Sequence, residues 1–514
     1  MSAAGRSASS GVPGFHVPGS VAAAAHASPS FLSHHKPQGP VNATRQQLKQ
    51  YYQHLFPVQD LCAWLSYTGN VPSSSNSSNS SNSASSSSST RKPSLMFQKR
   101  EFSFTMADGK YWRYQSFKSA LALRASMVRH VPSKIDIGAC YNVSPKPVKF
   151  RDESEAFVAV ERELVFDIDL TDYDSVRTSS SGTGISKKCW GFVAVAVKVL
   201  DARLRSDFGF KHLFWVYSGR RGVHCWVCDK RARLLSNKLR ASIANYLSYV
   251  QPEAKLSAKR GEQQGEDDET SVYEAPLHPA LEQSMPCLRA FFERSVIQSQ
   301  GQALLSDKAN WSRILDLVPD FDFVVCNKES SSKTQDSLQN PPYSKRMKPK
   351  SQSFVAHLTD LWTHECSNAS ERWACFKKQV NILKHNGSLH KSTRRLLSSL
   401  ETFIVTTCTY PRLDVNVTTH MTHLLKAPFC IHPSTGNVCV PLSVAAIDDF
   451  DPTKDVPTLA QLLKEVSDFD AAAKQTAATS KPPKTTTVDK TSLKKFLDMW
   501  KAEFLQPLLS SGCN

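Results

Sequence analysis

Nothing in the 514-residue chain approaches the roughly 18–20 consecutive apolar residues that a membrane-crossing helix needs; the best run, Gly191 to Leu200, is interrupted by Lys198. A helical integral membrane protein is therefore excluded. Acidic residues are scarce as well: 46 Asp and Glu stand against 63 Lys and Arg, the formal charge is +17, and no acid precedes Asp60. That deficit favours a polyanionic partner, nucleic acid ahead of an anionic membrane surface. A disulfide framework is also missing. The 13 cysteines are odd in number and sit singly in apolar runs, as at Cys62, Cys140, Cys408 and Cys439. A small, cysteine-dense secreted scaffold is thus excluded, and a reducing compartment is expected. The first forty residues have no basic stretch leading into an apolar core, which argues against a secretory signal. They contain one arginine, Arg6, and Pro13, Pro18, Pro29 and Pro37 would break an amphipathic transit helix, so a disordered tail is expected.

Four further segments lack the apolar content to stay folded: the Ser/Asn tract 71–93, the polar stretch 255–273, the stretch 327–353 with its basic cluster 345–350, and a Lys/Thr/Ala/Pro linker at about 471–489. Patterned sequence resumes on both sides of each, so they read as insertions on a compact body. Removal of 73–89, which holds no apolar residue larger than alanine, is expected to leave the melting temperature unchanged. A large drop would show that the tract is ordered.

Between these segments the pattern is mixed α/β (α+β). Leu48, Tyr51, Tyr52 and Leu55 share a helical face over 44–56, and Leu235, Leu239, Ile243, Tyr246, Leu247 and Val250 form a second stripe. Helices are also expected over 281–296, 309–318, 370–384 and 491–509, the last capped by Thr491 and Ser492. Strands are expected at 101–106, 111–116, 163–170, 213–218, 223–228 and 403–416. Strands on either side of a helical stretch suggest one sheet interrupted by a helical insertion.

Three blocks carry chemistry. In Glu163-Leu-Val-Phe-Asp-Ile-Asp-Leu170 strand alternation puts Asp167 and Asp169 on one face and Phe166, Ile168 and Leu170 on the other. Two carboxylates so spaced suit a pair of divalent cations, Mg²⁺ or Mn²⁺, although the same pattern occurs at solvated strand ends. In Trp215-Val-Tyr-Ser-Gly-Arg-Arg-Gly-Val-His-Cys-Trp-Val227 two apolar strands flank a turn with Ser218, Gly219, Arg220, Arg221 and Gly222, followed by Val223 and His224. Glycine admits close approach of backbone to phosphate, and guanidinium groups chelate its oxygens. The third block places Asp414 after Pro411-Arg412, then His423, Leu424, Leu425, Lys426 and His432. Each element has a bland alternative, such as an Asp414–Arg412 pair; their joint occurrence is the signal.

These blocks, in this order, resemble the catalytic small subunit of the archaeo-eukaryotic DNA primases. The resemblance extends to Arg100-Glu-Phe-Ser-Phe-Thr105, Tyr111-Trp-Arg-Tyr-Gln-Ser-Phe117, Lys134-Ile-Asp-Ile-Gly138 and Asp207-Phe-Gly-Phe-Lys-His212. It covers about 44–460 apart from the insertions, plus the C-terminal helix. It implies a mixed-sheet catalytic core over 41–228 and 403–460, a smaller helical subdomain over 229–402, and a terminal helix within 490–514. It implies metal binding by Asp167, Asp169 and Asp414, with Glu101 as an additional catalytic carboxylate. Nucleotide binding would fall to Arg113, Asp167 to Asp169 with Ile168 between, Ser218 to His224, His423 to Lys426, and His432. Template-directed RNA primer synthesis on single-stranded DNA from ribonucleoside triphosphates would follow. The partners would be a large primase subunit and the DNA polymerase alpha complex, in the nucleus. A repair or bypass primase-polymerase, or an inactive scaffold subunit, are the alternatives.

One departure from the family is plain. Members carry a four-ligand zinc site shortly after the Asp-x-Asp strand. Counted from Asp169, only Cys189 is retained here; the other positions hold Ser179, Ser180 and Ser186. Serine hydroxyls are poor zinc ligands, so no structural zinc is expected. Cys225-Trp-Val-Cys228 lies on an expected strand that points its thiols apart and reads as core.

Overall fold

The computed structural model describes residues 44–67, 95–147, 156–182, 184–248, 278–324, 351–476 and 486–511. All belong to the unit Val41–Asn514; the other unit, Met1–Pro40, lies outside them, as do the expected insertions 71–93 and 255–273.

Two antiparallel sheets form the core rather than the single interrupted sheet that the pattern suggested. The first is built from β1 (Arg100–Thr105), β2 (Tyr111–Gln115), β3 (Lys134–Tyr141) and β4 (Ala159–Glu161); the second from β5 (Leu164–Asp169), β6 (Leu213–Tyr217) and β7 (Gly222–Val227). Two short strands lie elsewhere, β8 (Asp322–Val324) and β9 (Ser351–Ser353), which pair with each other. The last three residues of the expected insertion 327–353 are therefore strand. The returning chain then gives one strand to each main sheet: β10 (Leu425–Lys426) pairs with β3, and β11 (Pro441–Leu442) pairs with β6. The two sheets differ in strand pairing, β1 with β2 and β3 against β7 with β5 and β6, and local periodicity does not report a strand's partner.

Helix Arg45–His54 begins with a capping box in which Thr44 and Gln47 satisfy each other's backbone. It buries Leu48, Tyr51 and Tyr52, and the Tyr51 hydroxyl donates to the Phe429 carbonyl (2.8 Å) beside β10. Helix Lys187–Ser206 buries nearly every side chain of its Cys189–Leu200 stretch behind the second sheet. At the base of β5 a fully buried ion pair, Arg100–Glu163 (2.6 Å), joins β1 to the chain entering β5. Burial opposes ionisation of Glu163, but Arg100 prevails and holds it down at about 2.

Five local expectations are corrected. The run Phe403-Ile-Val-Thr-Thr-Cys-Thr409, expected as strand, completes helix Lys391–Thr409, so the expected boundary at 402/403 falls inside one continuous helix. Its β-branched residues are buried all round, and Thr406 and Thr409 return their hydroxyls to the Thr402 and Val405 carbonyls (2.9 and 2.6 Å), so tertiary packing overrides strand propensity. Helix Asn237–Leu247 buries Arg240, Ile243, Ala244 and Leu247, leaving Leu239 and Tyr246 exposed. The guanidinium of Arg240 takes the inward position because it caps the Arg162 and Glu163 carbonyls. The expected linker opens inside helix Leu459–Thr476, which its alanines extend. Helix Leu493–Trp500 is capped by neither Thr491 nor Ser492: Ser492 donates to Glu465 (3.0 Å) and Thr491 to the Val488 carbonyl (2.9 Å). The segment 309–318 holds only a 3₁₀ turn and the single turn Ser312–Leu315.

Candidate active site

β5 delivers Asp167 and Asp169 to one face with Phe166 and Ile168 buried behind them, as alternation requires. β7 lies alongside, with His224 opposite Asp167 and Gly222 opposite Asp169. Gly222 has to be glycine: a Cβ there would stand 2.3 Å from the Ile168 carbonyl oxygen. The turn between β6 and β7 closes through Ser218, whose N–H donates to the Gly222 carbonyl (2.9 Å) and whose hydroxyl accepts from the Gly222 N–H (3.0 Å). Gly219 adopts φ +88°, and a Cβ on it would meet His432 Cβ at 2.7 Å. His432 therefore packs directly on the turn.

The 425–442 segment ties the two sheets together at this turn. Lys426 is hydrogen-bonded through its backbone into the first sheet opposite Asp136, while its ammonium donates to the Ser218 carbonyl (3.0 Å) in the second. Thr435 and Asn437 donate to the Gly219 carbonyl (2.7 and 3.2 Å). Arg221 turns toward β5, and its Nε donates to Asp169 Oδ1 (2.6 Å), which also accepts from the Thr171 N–H and hydroxyl (2.9 Å each).

Charge is unevenly distributed here. Burial, followed by the cationic Lys426, Arg220, Arg221 and Lys134, pushes His432 down to about 3; burial and Lys426 do the same to His224. Both imidazoles are neutral at physiological pH, first because they are buried and then because cations crowd them. His423 is also lowered, by burial and then Arg162. On the carboxylate side Asp167, 30% exposed at its side chain, is pushed up to about 7 by burial and then by Asp169 and Asp414, with Lys426 offsetting in part. Asp169 stays below its usual range although burial opposes this, because Arg221 and Thr171 bond its ionised form. Asp414 is the exposed N-cap of the short helix Val415–Thr419, and its N–H donates to the Asp167 carbonyl (3.2 Å). Arg412 bonds the Asp172 and Thr407 carbonyls and the Ser175 hydroxyl.

Glu101 behaves differently from the other acids. Its side chain is 0% exposed and accepts four hydrogen bonds: from Arg113 Nε (3.0 Å) and Nη2 (3.2 Å), the Tyr114 N–H (3.1 Å) and the Tyr141 hydroxyl (3.0 Å). The left-handed backbone at Tyr114 (φ 59°) aims that N–H at the carboxylate. Arg113 in turn reaches the Thr422 carbonyl (3.3 Å) at the head of the His423–Lys426 block. The geometry makes Glu101 the holder of Arg113. Arg113→Ala, Glu101→Gln and the double variant should raise the nucleotide KM by similar factors, on the order of 10–100-fold. Additive losses in this double-mutant cycle would contradict the coupling.

The site-block residues that converge on the turn and carboxylates are Asp167, Asp169, Ser218, Gly219, Arg220, Arg221, Gly222, His224, Asp414, Lys426 and His432. Ile168, Val223 and Leu425 are buried apolar residues that offer only backbone to a ligand, and Leu424 packs over Gly138. Sequence reasoning missed Lys134, whose charge presses on both histidines. It also missed Thr435, Asn437 and Asp172. The one available signal was Lys134 and Asp136 alternating on the strand that receives Lys426.

A carboxylate pair facing clustered cations across adjacent strands defines the class: a nucleotide-handling site on a mixed α/β core. A profile of the DNA primase small subunit family matches residues 166–444. The DNA primase small subunit of Drosophila melanogaster is 36% identical over 427 residues, 83% of each chain. That of Schizosaccharomyces pombe is 34% identical over 430 residues (84% of this chain, 79% of the relative), and that of Saccharomyces cerevisiae 32% over 435 (84% and 87%). The chain belongs to the DNA primase small subunit family.

Proposed function

We propose that this chain is the catalytic, primer-synthesising subunit of a DNA primase, joining ribonucleotides on a single-stranded DNA template. The observation that carries the reading is Lys426, fixed in one sheet and bonded to the phosphate-type turn of the other, beside the Asp167/Asp169 pair. Arg220, Arg221, His224, Lys426 and His432 would bind the triphosphate and stabilise charge as it moves onto the departing pyrophosphate. His224 and His432, neutral without a ligand, would each offer a ring N–H to the anion.

Divalent cations fit the donor set: oxygen ligands only, with Asp167 destabilised as an anion by burial and then by Asp169 and Asp414. Among the described residues no three such side chains already stand in a coordinating array, and Asp169 is engaged by Arg221. Asp167, Asp169 and Asp414 would hold two Mg²⁺ or Mn²⁺ ions, which when bound lower the pKa of the attacking 3′-hydroxyl and offset the pyrophosphate charge. Arg221 would exchange Asp169 for triphosphate oxygens, releasing the carboxylate. The +17 charge supports sequence-independent, salt-sensitive template binding.

A large primase subunit and the DNA polymerase alpha complex are the proposed partners, and the nucleus the proposed compartment. Among the described residues no helix is long and apolar enough to cross a membrane. Nucleotide competition tests the assignment: ribonucleotides should be chosen over deoxynucleotides during unprimed synthesis. Selective use of deoxynucleotides would point to a repair or bypass primase-polymerase.

A further inference from the structure

We propose that residues 177–182 and 184–189 form a metal-free clasp, in which hydrogen bonds do the cross-linking that a zinc ion does elsewhere in the family. The four positions where members carry ligands do come together. Ser179 Oγ lies 2.8 Å and Ser180 Oγ 3.1 Å from Cys189 Sγ, and Ser179 and Ser186 hydroxyls are 3.2 Å apart. Ser186 Oγ also accepts from the Cys189 N–H (3.2 Å), capping helix Lys187–Ser206. Ligand atoms placed tetrahedrally around zinc at its usual bond lengths stand roughly 3.4–3.8 Å apart. The hydroxyls and thiol are closer than that, in direct hydrogen-bond contact, and one thiol with three neutral hydroxyls is not a structural zinc donor set.

Two buried side chains brace the clasp. Arg177, 0% exposed at its side chain, donates to the Gly182 and Gly184 carbonyls (2.8 and 3.0 Å) and pairs with Asp174 (2.5 Å). Gln302 comes from the helical region and is buried. Its Oε1 accepts from the Thr178 and Ser179 N–H groups (2.7 and 3.3 Å), its Nε2 donates to the Lys188 carbonyl (3.1 Å), and its own carbonyl accepts from the Thr178 hydroxyl. Arg313 adds a second tie, to the Asp174 and Ser175 carbonyls (3.1 and 2.7 Å). The clasp has a mechanical consequence for the site. Arg412 bonds Ser175 Oγ (3.1 Å) and gives its N–H to the Tyr173 hydroxyl (3.0 Å), so the loop that leaves Asp169 also fixes the chain approaching Asp414.

The test uses the purified full chain. Elemental analysis should find no stoichiometric zinc, and incubation with 1,10-phenanthroline should leave Tm unchanged; one zinc per chain, or a chelator-sensitive Tm, would overturn the proposal. Cys189→Ser, which keeps a hydrogen-bonding group of similar size, should shift Tm little, whereas Gln302→Ala should lower it by several degrees; the reverse order would also overturn it. Because the four positions converge, the triple variant Ser179→Cys, Ser180→Cys, Ser186→Cys should bind one zinc per chain and give the visible absorption of tetrahedral thiolate Co²⁺. A soluble triple variant that binds neither ion would show that the positions do not converge. If the triple variant is insoluble, the wild-type chelation and single-variant measurements decide.

Discussion

Asp167→Asn is expected to abolish primer synthesis while making the metal-free protein more stable at pH 8. The loss follows from removing a carboxylate proposed as a metal ligand. The gain follows from the charge the fold tolerates there. Asp ionises near 3.9 in an unfolded chain, but in the fold Asp167 is raised to about 7 by burial and by Asp169 and Asp414. The folded state thus holds this proton more tightly than the unfolded one. Its ionisation costs nothing below about pH 4, destabilises progressively as pH rises, and reaches its full penalty above about pH 7. Three units correspond to about 4 kcal/mol, but a side chain 30% exposed is partly screened, so about 1–2 kcal/mol is expected. Asparagine keeps the shape and removes the charge, so Tm should rise at pH 8 and the gain should shrink as pH falls toward 5. Normal primer yield from the variant, or a lowered Tm at pH 8, would contradict this account.

Arg221→Ala should raise the nucleotide KM by roughly 10–100-fold, the equivalent of about 1.5–3 kcal/mol for a charge-assisted contact. A second effect distinguishes this arginine from a generic surface cation. Arg221 is the main partner holding Asp169 ionised against the cost of burial. Without it the Asp169 pKa should rise, and the acid limb of the kcat/KM profile should move to higher pH. If template affinity collapses while the nucleotide KM stays put, the turn contacts DNA instead. If KM rises with an unmoved acid limb, the Arg221–Asp169 bond has no part in the working enzyme.

What could be read from the sequence was local. Alternation in Leu164–Asp169 placed both acids on one face, and the glycine-flanked arginines between two apolar runs marked the β6–β7 turn. The spacing of Leu493, Phe496, Leu497 and Trp500 gave the C-terminal helix, which packs its aromatic rings on Trp64 and Phe214. What could not be read depends on contacts distant in sequence. Residues 403–409 are β-branched and strand-like by composition, yet helix packing decides them. The division into two sheets rests on which strands pair, β1 with β2 and β3 and β7 with β5 and β6, and local periodicity does not report a strand's partner. The saturation of Glu101 needs Tyr141, forty residues away, and the load of positive charge on His224 and His432 needs Lys134 and Lys426. The serine cluster was legible as a loss of ligands; its closure by Arg177 and Gln302 was not.

The most direct measurement is unprimed synthesis on single-stranded DNA by the purified chain, supplied with labelled ribonucleoside triphosphates and either Mg²⁺ or Mn²⁺. Short RNA products should appear with the wild-type chain and either cation, vanish on adding excess EDTA, and be absent from Asp169→Ala although its circular dichroism spectrum is unchanged. Products from Asp169→Ala at the wild-type level, or synthesis undiminished by EDTA, would contradict the assignment of the carboxylate pair as the reaction centre.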